Sequence, residues 1–240
     1  MNMKKNIQTE QNLYKGAIIC DFDATVTTED VCDLLMENFS DGRWRDIGEK
    51  YLKGELSHQE LNKKFISFLD ATPNQIDKFI GQNVSLQPGF NNFVEYCDMR
   101  GYAFFIISNG WDYYIKKILY QFESMELFSI DDLLNIKRYQ LFIICNKIRY
   151  HEDNHKWEIE LPSFPTSHKS APDKKFILTS LKELQYNPVV FIGDGVNDME
   201  AAFVADEIFA RGSLADLCEH NGIRYKRFET FDDIIKGLAT

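Results

Sequence analysis

No pair of cysteines in this chain stands at the spacing of a metal knuckle. The five, Cys20, Cys32, Cys97, Cys145 and Cys218, are scattered over 240 residues with no C-x-x-C. That argues against a zinc site or a disulfide framework and fits reduced, mostly buried thiols of a cytoplasmic protein. A basic excess is also missing: 27 Lys and Arg face 37 Asp and Glu, a formal net charge of −10. A nucleic-acid or anionic-membrane partner needs a basic stripe, so neither is expected. Apolar runs stay far short of a membrane span, and residues 1–15 lack the apolar segment of a secretory signal. Proline is scarce, and three of the six fall between residues 162 and 173, which are expected to form a loop. There is no internal repeat and no low-complexity tract.

The remaining composition is that of an ordinary globular protein, 44% hydrophobic and 27% charged. Its length suits one large domain, or a core with an insertion. Residues 18–27 read Ile-Ile-Cys-Asp-Phe-Asp-Ala-Thr-Val-Thr, a short apolar run that ends in Asp21 and Asp23. A buried carboxylate must be paired or metal-bound. Two that are separated by one residue project to the same side of a strand. Two further apolar runs end in the same fashion. Residues 103–108 lead into Ser108, Asn109 and Gly110, and residues 189–193 lead into Asp194, Asn197 and Asp198. Lys174 and Lys175 open a helical segment upstream of the last run. A negative net charge is no bar to binding phosphate, because a cation and backbone N–H groups supply the local positive charge.

Periodicity places a helix over 29–39, with Val31, Leu34, Leu35 and Phe39 on one face and Thr28 as N-cap. Residues 43–81 continue as helices, broken at Gly54, at Ser57 (a capping box with Glu60) and at Thr72-Pro73. Pro88-Gly89 ends this stretch. A helix over 90–100, a strand over 102–108 and a helix over 111–122 follow. Residues 139–161 read as a hairpin around the polar tip His151–His155, where a solvated turn is favoured over a histidine metal pair. Helix 174–185, strand 188–193, helix 197–205 and strand 207–211 complete the reading. The alternation specifies an α/β fold, a Rossmann-like, doubly wound parallel sheet. Residues 1–28 and 86–240 form the core, and 29–85 a helical cap inserted after the first acidic motif. Ligands of such sheets sit at the carboxyl ends of strands, where Asp21, Asp23, Ser108 and Asp194 all fall.

Taken in order, Asp-x-Asp-x-Thr at 21–25, Ser108, Lys174 and Gly-Asp-x-x-x-Asp at 193–198 resemble the motifs of the haloacid dehalogenase superfamily of phosphohydrolases. The inserted helices resemble the cap of its phosphoserine-phosphatase-like branch. Within that branch, Ser-Asn-Gly-Trp-Asp-Tyr-Tyr at 108–114, Cys-Asn at 145–146 and the hairpin ending Glu-Leu-Pro at 160–162 are most similar to the methionine-salvage phosphatases. The chain departs from them at Ala24, where Gly or Ser is usual. It departs again at Ser167–Pro172, which lacks the cysteines that usually precede the motif lysine.

The resemblance implies a Mg²⁺-dependent hydrolase of a small phosphomonoester. Asp21 is then the nucleophile that forms an aspartyl-phosphate and Asp23 the general acid and base. Asp21, Asp194 and the Asp23 backbone carbonyl hold the metal, and Asn197 or Asp198 orients the ligands. Lys174, Ser108, Asn109, Gly110 and Thr25 meet the phosphate. Lys175 and, more remotely, Lys169 stay open as the motif lysine. Asp30 stands where phosphoserine phosphatases carry an acidic group, and it equally suits a helix start. The position of their cap arginine is taken by Phe65, which cannot grip a carboxylate. Phe65, Phe68, Trp111 and Tyr113 suggest a partly apolar pocket, although Phe65, Trp111 and Tyr113 suit the core more often than a pocket. The alternatives are a phosphoserine phosphatase and a non-hydrolytic phospho-aspartate switch. A switch has no need of the cap or the Gly-Asp turn. A homodimer is compatible with these features and required by none of them.

Overall fold

A computed structural model describes residues 14–122, 125–127, 141–161 and 172–239. The loop expected over 162–173 lies outside the described residues up to residue 171, and Lys169 with it. The chain opens with β1 (Gly16–Cys20) and four helices, α1 (Val31–Phe39), α2 (Trp44–Leu52), α3 (His58–Phe68) and α4 (Pro73–Asn83). It continues through α5 (Phe90–Arg100), β2 (Tyr102–Trp111), α6 (Asp112–Ile118), β3 (Met125–Leu127), β4 (Leu141–His151) and β5 (Lys156–Glu160). The last third holds α7 (Lys174–Glu183), β6 (Val189–Gly193), a 3₁₀ turn (Val196–Asp198), α8 (Met199–Ala202), β7 (Glu207–Ala210), α9 (Gly212–His220), β8 (Lys226–Arg227) and α10 (Phe231–Leu238).

The strands pair in the order β3-β4-β2-β1-β6-β7-β8, all parallel, with β5 antiparallel on β4. Every residue of β1 and β6 is buried, which is why both read as unbroken apolar runs rather than alternating ones. One face of the sheet, with Ile18, Phe104, Ile106 and Ile192, packs against α5, α10 and the helical layer. The other, with Ile19, Phe105, Phe142 and Phe191, packs under α7, α8 and α9. From β1 the chain order runs to β2 on one side and to β6 on the other. The carboxyl end of β1 is therefore the switch point at which a crevice opens.

The helical layer starts and stops where its capping residues dictate. Ser57 with Glu60, and Thr72 with Gln75, form reciprocal capping boxes, and Pro73 occupies the first turn of α4. The N-cap of α1 is Asp30, not Thr28. Asp30 accepts from the Asp33 N–H at 2.9 Å, whereas Thr28 donates its hydroxyl to the Ser85 carbonyl at 3.3 Å. Thr27 also bridges Leu86, tying the entrance of the layer to its exit. This pairing supports the proposed division into a cap over 29–85 and a core formed by the rest.

Several elements differ from the sequence reading. The first half of β4 is a core strand beside β2 and β3, because Leu141–Cys145 is apolar enough to be buried throughout. Only its second half forms the expected hairpin with β5. β2 extends to Trp111, so α6 begins later and ends at Ile118. The segment 197–205 is a 3₁₀ turn and one short helix. α9, β8 and α10 lie beyond the last element expected, although Thr230 donates N–H and hydroxyl to Asp233 Oδ2 at 3.0 Å in a legible helix start. Of the two hairpin histidines, His151 pairs with Glu158 and His155 with Tyr150, as suits a solvated turn.

Candidate active site

Three segments far apart in sequence meet at the carboxyl edge of β1 and β6. The Lys174 ammonium, buried at the start of α7, bridges Asp21 Oδ1 at 2.8 Å and Asp198 Oδ1 at 2.5 Å. This selects Lys174 over Lys175, whose side chain is exposed. Asp198 is fully buried, and its second oxygen accepts the N–H groups of Asp194 and Gly195, each at 3.1 Å. It therefore shapes the turn and holds the lysine. Gly193 is required beside it, since a Cβ there would lie 2.3 Å from Asp198 Oδ2. Asp194 Oδ1 accepts the Thr25 hydroxyl at 2.6 Å. Thr25 is thus committed to a carboxylate rather than free for phosphate.

Oxygen atoms of Asp21, Asp194 and Asp198 lie within 4.8 Å of one another. Burial, with Asp198 and Asp194 adding to it against Lys174, pushes the Asp21 carboxyl up to about 8. Burial also raises Asp194. The cluster is short of positive charge, and its donors are all oxygen. Both properties suit Mg²⁺, a hard cation that takes carboxylates and keeps waters.

Asp23 sits opposite. Its Oδ1 accepts the Val31 N–H at 3.1 Å, and its Oδ2 accepts the Tyr114 hydroxyl at 2.6 Å and the Ser108 hydroxyl at 3.3 Å. Burial raises this carboxyl to about 6 against those hydrogen bonds. Ser108 is fully buried and accepts the Gly110 N–H at 2.9 Å. The β2–β4 register shifts between Ile107 and Trp111, which lets Ser108–Gly110 bulge out of the ladder. Asn146 of β4 patches the gap by donating to the Asn109 carbonyl at 2.6 Å. The resemblance puts Gly110 at the phosphate. Its missing Cβ instead makes room for the protein, since a Cβ would meet Tyr114 Oη at 1.7 Å and Asp23 Oδ2 at 2.6 Å.

Ala24 lies in the left-handed region at φ 54°, where its carbonyl takes a hydrogen bond from Arg211. A Cβ in that region costs roughly 1–2 kcal/mol, partly matched by the entropy glycine loses on folding. Ala24→Gly is expected to stabilise the fold by up to about 1 kcal/mol. Urea unfolding of the two proteins tests it, and a destabilised glycine variant would show that the alanine is relaxed.

Of the aromatic residues singled out in the sequence, Phe65 and Trp111 are buried. Phe65 is buried edge-on against Trp44, ring centroids 5.9 Å apart. Trp111 is fully buried and donates its indole N–H to Asn62 at 3.3 Å. Tyr113 donates to Asp77 at 2.8 Å and packs on Trp157, which itself donates to the Ala71 carbonyl at 2.7 Å. Arg43 stacks over Phe68 at 4.6 Å. Trp111, Tyr113 and Trp157 join core and hairpin to the cap, whereas Phe65 and Phe68 pack against residues of the cap itself. Asn197 accepts the Tyr51 hydroxyl of α2 at 3.0 Å, a link between cap and core. Sequence reasoning missed Tyr51, Tyr114 and Arg211. Arg211 carried a signal, since it is a charge that ends the buried strand β7, as Asp21 ends β1.

Carboxylates crossed by a buried lysine, at the switch point of a doubly wound sheet and beside an inserted helical layer, define an α/β enzyme equipped for anion chemistry. The chain belongs to the haloacid dehalogenase-like hydrolase family, whose model matches residues 18–202, and it is a phosphatase-type member. It is 28% identical over 224 residues to a 2-hydroxy-3-keto-5-methylthiopentenyl-1-phosphate phosphatase of Exiguobacterium, covering 90% of this chain and 94% of that protein. It is 29% identical over 229 residues to the protein of that name from Brevibacillus brevis, covering 93% and 95%. Among solved structures, a phospho-aspartyl intermediate analogue of phosphoserine phosphatase superposes with a TM-score of 0.65 at 18% identity, over 93% of this chain and 98% of that one. Phosphoserine phosphatase from T. onnurineus gives 0.61 at 16% identity, over 95% and 96%. At such identities the likeness is one of fold. No helix among the described residues is long and apolar enough to cross a membrane.

Proposed function

We propose that this protein is a cytoplasmic, Mg²⁺-dependent phosphomonoester hydrolase that works through an aspartyl-phosphate. The observation that carries the reading is the convergence of Asp21, Asp23, Lys174 and Asp194 on one sheet edge. Lys174 and the Phe22 N–H both occupy Asp21 Oδ1, leaving Oδ2 as the nucleophilic oxygen. Asp23 protonates the departing alkoxide, then takes a proton from the water that attacks the intermediate. Lys174 holds Asp21 in place and, with the N–H group of Asn109, offsets the charge of the transferring group. Asp21, Asp194 and the Asp23 carbonyl are the residues that would hold Mg²⁺, with Asp198 orienting them through Lys174 and the turn N–H groups. Bound there, the cation screens the carboxylates from a dianionic phosphate.

The proposed substrate is 2-hydroxy-3-keto-5-methylthiopentenyl-1-phosphate, after the names of the relatives. The lack of an arginine at position 65, where a buried phenyl ring offers no fork of donors to a carboxylate, supports this over phosphoserine. The test is phosphate release with Mg²⁺ or with EDTA over that enol phosphate, L-phosphoserine, sugar phosphates and p-nitrophenyl phosphate. Mg²⁺-dependent release with the highest kcat/KM on the enol phosphate is expected. A maximum on L-phosphoserine would transfer the substrate assignment, and no release from any compound would sink the phosphatase reading.

A further inference from the structure

Tyr114 is fully buried, yet its hydroxyl is aimed at a carboxylate. The ring is wedged between Phe22 and Trp111, with centroids 6.1 Å from each. Its hydroxyl reaches Asp23 Oδ2 at 2.6 Å. Room for it exists only because residue 110 has no side chain, since a Cβ there would lie 1.7 Å from that oxygen. Ser108 donates to the same Asp23 oxygen at 3.3 Å. Its hydroxyl accepts the Gly110 N–H, so its single proton is directed at Asp23. Oδ2 therefore receives two donors, which fill the two lone pairs of a carboxyl oxygen. Among the described residues, Oδ1 receives only the Val31 N–H, at 3.1 Å.

We infer that Tyr114 is a positioning residue for the leaving-group acid: by occupying Asp23 Oδ2 it confines the transferable proton of Asp23 to Oδ1. The inference rests on the reading of Asp23 as general acid. As the Asp21 Oδ2–phosphorus bond forms, the bond from phosphorus to the departing oxygen breaks. Its electron pair stays on that oxygen and takes the proton from Asp23 Oδ1, leaving a carboxylate that Tyr114 and Ser108 already solvate. Without the Tyr114 hydroxyl, Oδ2 keeps an empty lone pair. The proton is then shared between two oxygens instead of being held on one.

The test compares kcat/KM for the best alkyl phosphate of the panel with that for p-nitrophenyl phosphate, whose leaving group departs without help from an acid. Tyr114→Phe is expected to lower the alkyl value by about 10- to 100-fold and the aryl value by no more than about 3-fold. The ratio is independent of the active fraction, so incomplete folding does not blur it. Replacing Tyr114 by 4-aminophenylalanine keeps a donor at the same ring position and is expected to restore the ratio to within about 3-fold of wild type. Equal loss on both substrates, no loss on either, or a failed rescue would overturn the inference. Asp23→Asn separates the two layers of the argument. If it too spares only the aryl substrate, the acid reading holds and Tyr114 alone is on trial; if it treats both alike, the reading and the inference fall together.

Discussion

Asp21→Asn is expected to abolish turnover, lowering kcat by at least about 10⁴-fold, the scale on which covalent nucleophiles are lost. An amide cannot attack phosphorus, and no neighbour can replace it: Asp198 is fully buried and saturated by Lys174 and two N–H groups, and Asp194 is turned to Thr25. The variant should also change stability in a direction that a merely damaged fold would not. The folded state raises the Asp21 carboxyl from 3.8 to about 8, so it keeps a proton that the unfolded chain releases. Where the folded state binds the extra proton, stability falls as pH rises. In EDTA, wild type should therefore lose stability between about pH 4 and pH 8. Asp23, raised to about 6, accounts for part of the lower half of that window. Asp21→Asn should remove its share of that slope, leaving below about pH 6 the share of Asp23. Urea titrations across this range, beside phosphate-release assays, measure both effects. A variant that retains turnover would remove Asp21 from the chemistry.

Lys174→Met carries the second large effect. The lysine is buried between Asp21 and Asp198, and its own pKa is raised by these two carboxylates, against the penalty of burial. Removing one partner of a buried ion pair leaves a charge without its counter-ion, at a cost of about 3–5 kcal/mol. Asp21 would move further up, since Lys174 is the main group holding it down. Less nucleophilic carboxylate would then remain at neutral pH. Turnover should drop on the order of 10²–10³-fold, the size expected for a lost charge-stabilising donor. The double variant Lys174→Met with Asp198→Asn removes both charges and should regain most of the stability but none of the activity. Chemical denaturation and kinetics on the three proteins decide it. Recovery of activity in the double variant would show that the lysine acts only on the fold.

Much of this site was legible before any coordinates. Asp21, Asp23 and Asp194 stand out because each ends a run that is otherwise buried, and a charge in that position demands a reason. The capping box at Ser57, the break at Thr72-Pro73 and the helix over 90–100 were legible for a local cause: the start of a helix is written in three or four consecutive residues. Thr28 misled because Thr and Asp both cap helices, and the choice of Asp30 depends on Thr28 being occupied by Ser85, more than fifty positions away. Phe65, Trp111 and Tyr113 left pocket and core both open, because an aromatic ring fits either. Their partners Trp44, Asn62 and Asp77 come from other helices.

The sequence by itself determined the alternation of strands and helices, the helical insertion and the acidic strand ends, because each depends on spacing along the chain. Tertiary structure alone decided that Lys174 rather than Lys175 enters the site, that Thr25 serves Asp194, and that Gly110 yields its space to Tyr114. Those choices turn on distances between atoms brought together only when β1, β2 and β6 lie side by side.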